Sequence, residues 1–379
     1  MARDIDKRLK QLRTRRGGTD RLGRLSTDAI TEVLRKSTIE ESWQKRASAQ
    51  PYTRYALGAM QEVDAEYTRV GIETAERVGN QLYKELGSTG IPVEFRLQGS
   101  VPLNVHIRGV SDVDLLTLET SFLIYANNGQ AALNGGYTSA GTRTSLSVLQ
   151  NLRTQSEKIL LAKFPAATVD TFGGKAIAIS GGSLARPVDV VPSHWYDTVS
   201  YQSSRNERDR GVVILNKKVP ETIDNFPFLH ISRIDERDKA AGGGLKKAIR
   251  LCKNVKNDAI EDGKKIVFPS FDIAATMYHV DLDALRVGTF YELAVLAETQ
   301  RFLDELYHNP TKAKSLYVPD GSRRIFDTDE KFEGLKTLSV EMDDLAKEVA
   351  KEQSYLLRSL PETSLPESRK VLRETYIPG

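Results

Sequence analysis

Residues 97–119 read LQGSVPLNVHIRGVSDVDLLTLE and combine a glycine turn with two closely spaced acids. Just upstream, Val93–Gln98 alternates apolar and polar residues, which predicts a half-buried strand that ends at the turn Gly99-Ser100. Twelve positions after Ser100 come Asp112 and Asp114, which would project from the same face of a strand. Adjacent carboxylates repel each other, so such a pair implies a shared proton or a cation between them.

The two halves of this stretch predict one chemistry. Carboxylate oxygens are hard ligands that suit Mg²⁺ held together with substrate phosphates. The backbone N–H groups of a Gly-Ser turn suit a phosphate, as at other glycine-rich turns that open a helix. At this spacing, the pattern predicts metal-dependent nucleotidyl transfer.

A third carboxylate follows in a later strand, LARPVDVV, residues 184–191. Asp189 lies between Val188 and Val190, where a charge is costly unless it is paired or metal-bound. One interpretation is a salt bridge to Arg186. Beside the upstream pair, Asp189 is instead the natural third metal-side ligand, because three carboxylates could hold two Mg²⁺ ions roughly 4 Å apart. In that role it would bind the metal nearer the attacking hydroxyl and help remove its proton.

A basic helix is predicted at residues 242–253, GGGLKKAIRLCK. At about 100° per residue, Lys246, Arg250 and Lys253 fall on one side and the apolar residues on the other. Such a helix is either a surface helix with a solvated basic face, or a clamp that holds a nucleoside triphosphate between two lobes. Further aromatic candidates, Tyr196 and Tyr201, follow the third acid and could stack on a base, although core positions are as consistent with their sequence.

Composition limits the other functions. The chain has 379 residues, a formal net charge of +3 and one cysteine, Cys252. One cysteine excludes an intrachain disulfide and a multi-cysteine zinc site, and it fits a reducing compartment. No apolar run approaches the roughly 18 residues of a membrane span, and the charged N-terminal residues lack the apolar core of a signal peptide. We therefore expect a cytoplasmic protein that has no membrane partner.

The periodicity predicts an α+β, bilobal fold: a mixed sheet core, a long N-terminal spine helix over about 52–86 and a helical C-terminal lobe. We expect four regions: a basic arm and helix at 1–50, the catalytic core at 51–220, the helical lobe at 221–359 and a flexible tail at 360–379. The arm at 1–25 is expected to be solvated and frayed.

The turn, the three acids and the basic helix together resemble the polymerase-beta-like nucleotidyltransferases. The long helix before the turn and the GGLKKxxRL helix narrow the resemblance to the bacterial cGAS/DncV-like nucleotidyltransferases (CD-NTases). It covers most of residues 50–355. The resemblance implies an enzyme that joins NTPs into a cyclic oligonucleotide second messenger, which activates an effector in antiphage (CBASS) defence, with Mg²⁺, or Mn²⁺ in its place, as cofactor.

The family roles are assigned to residues as follows. Gly99 and Ser100 would contact the donor triphosphate, and the three aspartates would bind Mg²⁺. Lys246, Lys247 and Arg250 would contact phosphates. The single cysteine rules out the zinc-binding insertion of the animal DNA sensor, so we expect no direct activation by DNA.

Two questions remain open at this level. In some systems that the chain resembles, a ubiquitin-ligase-like partner conjugates the synthase C-terminus, and Gly379 could be such a site; an ordinary frayed terminus is the alternative. An enzyme that tails RNA or modifies another acceptor would use the same acids, and a non-catalytic binding module on the same fold is a third possibility. The modest net charge disfavours a polymer acceptor, and the three intact acids disfavour an inactive module.

Overall fold

The computed structural model describes residues 4–18, 22–24, 30–31, 33–35, 40–107, 112–137 and 141–379. One mixed sheet lies in the first part of the chain and helices dominate after residue 226. The predicted α+β architecture with a helical C-terminal lobe is therefore confirmed.

The sheet is built around a parallel pair of long strands. Its strands are β1 (Val93–Gln98), β2 (Val113–Tyr125), β3 (Thr168–Asp170), β4 (Ile177–Ser180), β5 (Val188–Asp197), β6 (Gly211–Asn216) and β7 (Glu221–Asn225). The order is β1-β2-β5-β4-β3, with β6 between β5 and β7. β2 and β5 run parallel, and the other pairs are antiparallel. The first strand has the predicted bounds. The strand of the third acid was expected to begin at Leu184 but begins at Val188, because residues 181–187 form turns in which the Leu184 N–H donates to the carbonyl of Gly181.

The longer helices surround the sheet and then form the second lobe. Those of eight or more residues are α1 (Ile5–Gly17), α2 (Pro51–Met60), α3 (Ala65–Ser88), α4 (Ser145–Lys163), α5 (Pro227–Ala240), α6 (Gly244–Glu261), α7 (Ser270–Met277), α8 (Leu293–His308), α9 (Asp329–Gln353) and α10 (Leu365–Glu374). Shorter segments lie at Ser42–Lys45, Gln130–Leu133, Val199–Ser204, Leu282–Arg286, Pro310–Ser315 and Tyr355–Arg358. Within the described ranges, no helix is both long and apolar enough to cross a membrane.

The two central strands bury one face beneath α3 and α4. Val113 and Leu115 of β2 and Val188 and Val190 of β5 share a core with those helices. Because side chains alternate along a strand, Asp114 projects from the opposite face. The sheet therefore separates its packing face from its acidic face.

The spine is two helices rather than one. α2 ends at Met60, and Asp64 starts α3 by accepting hydrogen bonds from the backbone N–H groups of Glu66 and Tyr67. A side chain at the N-cap competes with a continuous helix, because it satisfies donors that the helix would otherwise leave unpaired. The apolar periodicity continues across the break, which is why it predicted a single helix.

The N-terminal region belongs to the helical lobe. α1 is a packed helix: Leu9 and Leu12 lie in one core with α2 and with α6 to α9. For residues 4–18 the expectation of a solvated, frayed arm is therefore wrong, because arginines that would keep an arm in water instead form buried ion pairs. Residues 1–3, 19–21 and 25 of the expected arm lie outside the described residues. Arg15 pairs with Asp258 at 2.6 Å, and both are buried. α2 packs in the same core, so the packing boundary lies near residue 60 rather than at the expected residue 51.

The C-terminal residues are also docked. α10 packs against α8 and α9, and Leu372 and Ile377 are buried in the helical-lobe core. Arg46 donates to the backbone carbonyls of Ile377 and Pro378 at 2.9 and 2.8 Å. The expectation of a flexible tail at 360–379 is therefore wrong: three prolines suggested a loose chain, but Leu372 and Ile377 supply the anchors.

Candidate active site

The three predicted acids lie at one point of the sheet. Asp114 and Asp189 are directly paired in the register of β2 and β5. Neighbouring strands are about 4.8 Å apart, so side chains in the same register are in contact range. Asp112 lies two residues before Asp114, at the entrance to β2. The topology thus brings together residues 75 positions apart in the chain.

The local charge is strongly unfavourable for ionised carboxylates. Burial, followed by the charges of Asp189 and Asp112, raises the pKa of Asp114 to about 7. A nearby cation, Lys253 of α6, opposes this rise. The pKa of Lys253 is itself lowered to about 7, first by burial and then by the charge of Lys256. Like charges therefore crowd around Asp114, and an added cation would relieve the repulsion among these acids.

The glycine of the turn is required by geometry. Gly99 has φ of +78° and lies directly against the Asp114 carboxylate, so that a Cβ at this position would overlap it. The position requires a left-handed backbone and leaves no room for a Cβ, and only glycine meets both requirements without strain. The turn and the acid are therefore packed against each other, as a joint phosphate and metal site needs.

The donor set fits a hard divalent cation. Asp112, Asp114 and Asp189 offer carboxylate oxygens, which suit Mg²⁺ or Mn²⁺. Within the described ranges, no three His, Cys, Asp or Glu side chains already converge into a complete ligand set. The carboxylates would therefore turn towards a shared ion when it binds, and substrate oxygens would complete its coordination.

A cavity of about 300 Å³ opens beside these residues and lies between the two lobes. Its wall on the sheet side contains the Gly99-Ser100 turn, Asp114 and Asn225 of β7, and its far wall comes from α5, α6 and α7. The lining residues are Gln98, Gly99, Ser100, Leu103, Val105, Asp114, Asn225, Pro227, His230, Ile231, Lys253, Ser270, Phe271 and Ala274. Asn225 donates to Gln98, and His230 stacks on Phe271 with ring centroids 4.3 Å apart. The flat rings on the far wall and the amide groups on the sheet side suit a nucleobase.

The basic helix contributes to this cavity differently from the prediction. Lys246 pairs with Asp235 at 2.6 Å, and Lys247 pairs with Glu292 at 3.1 Å. Neither residue lines the cavity, and neither does Arg250. Arg250 is buried and donates to backbone carbonyls of the protein itself, so that it is not free to meet a phosphate.

The three glycines before this helix serve packing. A Cβ at Gly244 would lie 2.7 Å from the carbonyl oxygen of Leu285, and one at Gly242 would lie 2.6 Å from the Thr289 hydroxyl. The first turn of α6 is also capped, because Asp238 accepts from the backbone N–H of Lys246 at 2.8 Å. The glycine run therefore allows close contact between helices.

The two aromatic candidates lie away from the cavity. Tyr196 is seven residues beyond Asp189 on β5, which places it roughly 20 Å away and on the opposite face of the strand. It packs near Phe226, with ring centroids 6.1 Å apart. Tyr201 lies in the segment Val199–Ser204, with Arg210 over its ring at 4.8 Å. Neither is placed to stack on a base in this cavity.

Sequence reasoning overlooked most of the far wall. Lys253 was on the predicted basic face but was not chosen as a phosphate contact. Ser270, the first residue of α7, adds a hydroxyl to the far wall. His230 and Phe271 add their aromatic rings. The sequence pointed only to Lys253, which shares the basic face of the helix with Lys246 and Arg250.

Comparisons with known proteins agree with this geometry. The family model of the cGAS/DncV-like nucleotidyltransferase C-terminal helical domain matches residues 232–347. The chain is 43% identical over 356 residues to the cyclic dinucleotide synthase CdnE of Yersinia aleksiciae, an alignment that covers 91% of this chain and 92% of that protein.

Solved structures show the same fold. The STING-associated CdnE c-di-GMP synthase from Capnocytophaga granulosa aligns with TM-score 0.67 and 28% identity, over 90% of this chain and 97% of its own. That from Flavobacteriaceae sp. aligns with TM-score 0.70 and 24% identity, over 93% and 99%. The chain therefore belongs to the cGAS/DncV-like nucleotidyltransferases and is a nucleotidyltransferase of the cyclic dinucleotide synthase family.

Proposed function

We propose that this enzyme is a Mg²⁺-dependent synthase that joins nucleoside triphosphates into a cyclic dinucleotide, a second messenger for antiphage (CBASS) signalling. The observation that carries the proposal is the direct pairing of Asp114 with Asp189, two residues after Asp112, where Asp114 lines a cavity between two lobes. A basic group and a hydroxyl, Lys253 and Ser270, line the opposite wall.

Each group would have a distinct task. The backbone N–H groups of the Gly99-Ser100 turn would hold the donor triphosphate, with Lys253 and Ser270 contacting it from the other side. Asp112, Asp114 and Asp189 would hold the metal ions, which supply charge stabilisation at the attacking and leaving oxygens.

Asp189 would also orient the acceptor hydroxyl and accept its proton, because it lies next to Asp114 at the edge of the acidic face. A second turnover on the linear intermediate would close the ring. Excluding water from the cavity would favour this intramolecular attack over hydrolysis.

The relatives suggest which product to test first. Two curated relatives of this chain, from Lachnospiraceae bacterium and Capnocytophaga granulosa, are named c-di-GMP synthases, each at 34% identity. We therefore propose GTP as the preferred substrate and c-di-GMP as the product. The product would act on a nucleotide-activated effector, a role for which the STING-associated relatives provide the precedent.

Further proposals concern the location of the enzyme and its partners beyond the effector. A cytoplasmic location would give the enzyme access to the nucleotide pool, and we propose no direct activation by DNA. Conjugation of Gly379 by a ubiquitin-ligase-like partner would first require Arg46 to release the carbonyls of Ile377 and Pro378.

The test is an incubation of the purified enzyme with each α-labelled NTP and Mg²⁺, without RNA, followed by phosphatase. We expect a phosphatase-resistant product from GTP whose mass is that of c-di-GMP, at a rate that double-stranded DNA does not change. A phosphatase-resistant product that contains other bases would show that the proposed substrate is wrong, but it would still support cyclic dinucleotide synthesis. Labelled polymer formed only when RNA is added would contradict the proposal and support the acceptor-modifying alternative.

A further inference from the structure

The last carbonyls of α2 receive donors from other helices. The C-terminal carbonyls of any helix lack partners within it, and cations are stabilising there. Arg250 of α6 donates through Nε to the carbonyl of Met60 at 2.8 Å. Arg16 of α1 donates to the next two carbonyls, those of Gln61 and Glu62, at 3.1 and 2.9 Å. Two buried guanidinium groups thus fix the end of α2 at the junction of the lobes.

Arg250 makes a second hydrogen bond, to the loop that follows the Gly99-Ser100 turn. Its Nη1 donates to the carbonyl of Asn104 at 2.7 Å. Asn104 has φ of +54°, an uncommon conformation for a residue other than glycine. The next residue, Val105, donates from its backbone N–H to the carbonyl of Ser100 at 3.0 Å and closes the loop. Arg250 therefore holds the far end of the loop that begins at the phosphate turn.

The same loop crosses from one lobe to the other. Val101 is buried in the core that contains the sheet, whereas Leu103 and Val105 are buried in the helical-lobe core. Lys253, one turn after Arg250, donates to the carbonyl of Val105 at 2.7 Å. The position of the turn relative to the acids thus depends on contacts made by α6.

Burying the Arg250 guanidinium carries a desolvation penalty that its hydrogen bonds to neutral carbonyls offset only in part. The side chain is 5% exposed, and burial lowers the pKa of its guanidinium to about 10. A buried cation that donates to neutral carbonyls gains less than one paired with a carboxylate, while it carries the same desolvation penalty. The guanidinium thus does more than fill space, because without it the carbonyls of Met60 and Asn104 would lose these donors.

We propose that Arg250 is a positioning residue, which locks the Gly99–Asn104 loop to the end of α2 and so fixes the phosphate turn against Asp114. This inference rests on the proposed function, because it assigns Arg250 a role in the same site. It replaces the direct phosphate contact expected from the sequence with an indirect one.

The test compares Arg250→Met with Arg153→Met. Arg153 is also buried and also donates to two backbone carbonyls, those of Thr171 and Gly173, but it lies on α4 away from the cavity. Hydrogen–deuterium exchange is measured on peptides that cover residues 99–107, and kcat and KM are measured with GTP and Mg²⁺.

We expect Arg250→Met to accelerate exchange at residues 99–107 at least tenfold and to lower kcat about 100-fold, the scale expected for a misplacement of about 1 Å. Arg153→Met should change neither quantity by more than about twofold. It should lower the melting temperature at least as much as Arg250→Met does, because it also breaks the ion pair of Arg153 with Glu157. Arg250→Lys, which can reach one carbonyl but not both, should fall between wild type and Arg250→Met and also serves if the methionine variant fails to fold.

Unchanged exchange at residues 99–107 in an Arg250 variant would overturn the inference, and so would equal losses of kcat in the Arg250 and Arg153 variants. The exchange measurement does not need turnover, so it tests the role of Arg250 even if the wild-type enzyme makes no cyclic product. The absence of a cyclic product from wild type would contradict the proposed function instead.

Discussion

The fit between Gly99 and Asp114 yields a prediction in which stability and activity separate. In Gly99→Ala, the new methyl group occupies the space of the Asp114 carboxylate, and the residue must also keep its left-handed backbone. The backbone costs about 1 to 2 kcal/mol in an L residue. The carboxylate is the mobile end of its side chain, so it can rotate away from the methyl group at little further cost. Rotation moves a proposed metal ligand, however.

Gly90→Ala is the matched control. Gly90 has φ of +79°, nearly the same as Gly99, and no atom within 4 Å of a Cβ built on it. It follows α3 and lies before β1, outside the cavity. Both variants should therefore lose about 1 to 2 kcal/mol of unfolding free energy in urea. Only Gly99→Ala should lose activity, by about 100-fold for a ligand displaced by about 1 Å.

The assay measures the initial rate of phosphatase-resistant product from α-labelled GTP, alongside urea unfolding of the same samples. If Gly99→Ala kept a rate close to that of Gly90→Ala, the packing of the turn against the acid would not matter for chemistry, and the geometric reasoning would be refuted.

Two further predictions concern stability. Burial lowers the pKa of His230 to about 4, so between pH 6.5 and 4 the unfolded chain binds a proton that the folded protein does not. The stability that neutral His230 contributes above pH 6.5 is therefore lost as the pH falls, and in urea titrations wild type should lose roughly 2 kcal/mol more than His230→Gln between pH 7 and 4.5. Equal losses in the two proteins would contradict the assignment of this pH dependence to His230. Arg15→Met leaves the Asp258 carboxylate buried without the Arg15 guanidinium and should lower the unfolding free energy by about 3 to 5 kcal/mol. Arg69→Met, which removes exposed ion pairing with Glu66, should lower it by at most about 1 kcal/mol. Similar losses in the two arginine variants would mean that α1 is not docked through its ion pairs.

The sequence was most informative where one residue type has one physical use. Alternation identified β1 to the residue, and a pair of acids two apart in a strand implied that they share a face. The sequence made it reasonable to expect Asp189 near Asp114, but it did not determine their direct pairing, because the register of parallel strands depends on the connection between them.

Other features depend on partners that are distant in the chain. The arginines of α1 indicated a solvated arm because their acids, such as Asp258, lie some 240 residues away. Helical spacing placed three cations on one side of α6. In the structure, Lys246 forms an ion pair with Asp235, Arg250 donates to backbone carbonyls and Lys253 lines the cavity. Helical periodicity gives the face on which a residue lies, but it does not say what faces it across the interface.

The break between α2 and α3 shows the same limit at short range. Val63 continues the apolar stripe, so the pattern crosses the break without change, and the capping by Asp64 is a local choice that competes with helix continuation. That break exposes the carbonyls that Arg250 and Arg16 bind.

The central claim is that Asp112, Asp114 and Asp189 form a metal-binding catalytic set, and Asp189→Asn tests it most directly. The amide keeps the shape of the side chain but removes the charge, so the variant should fold normally. The substitution also removes a like charge that raises the pKa of the Asp114 carboxyl. With GTP and Mg²⁺, the variant should form no detectable phosphatase-resistant product. A folded Asp189→Asn enzyme that forms this product within about threefold of the wild-type rate would contradict the account.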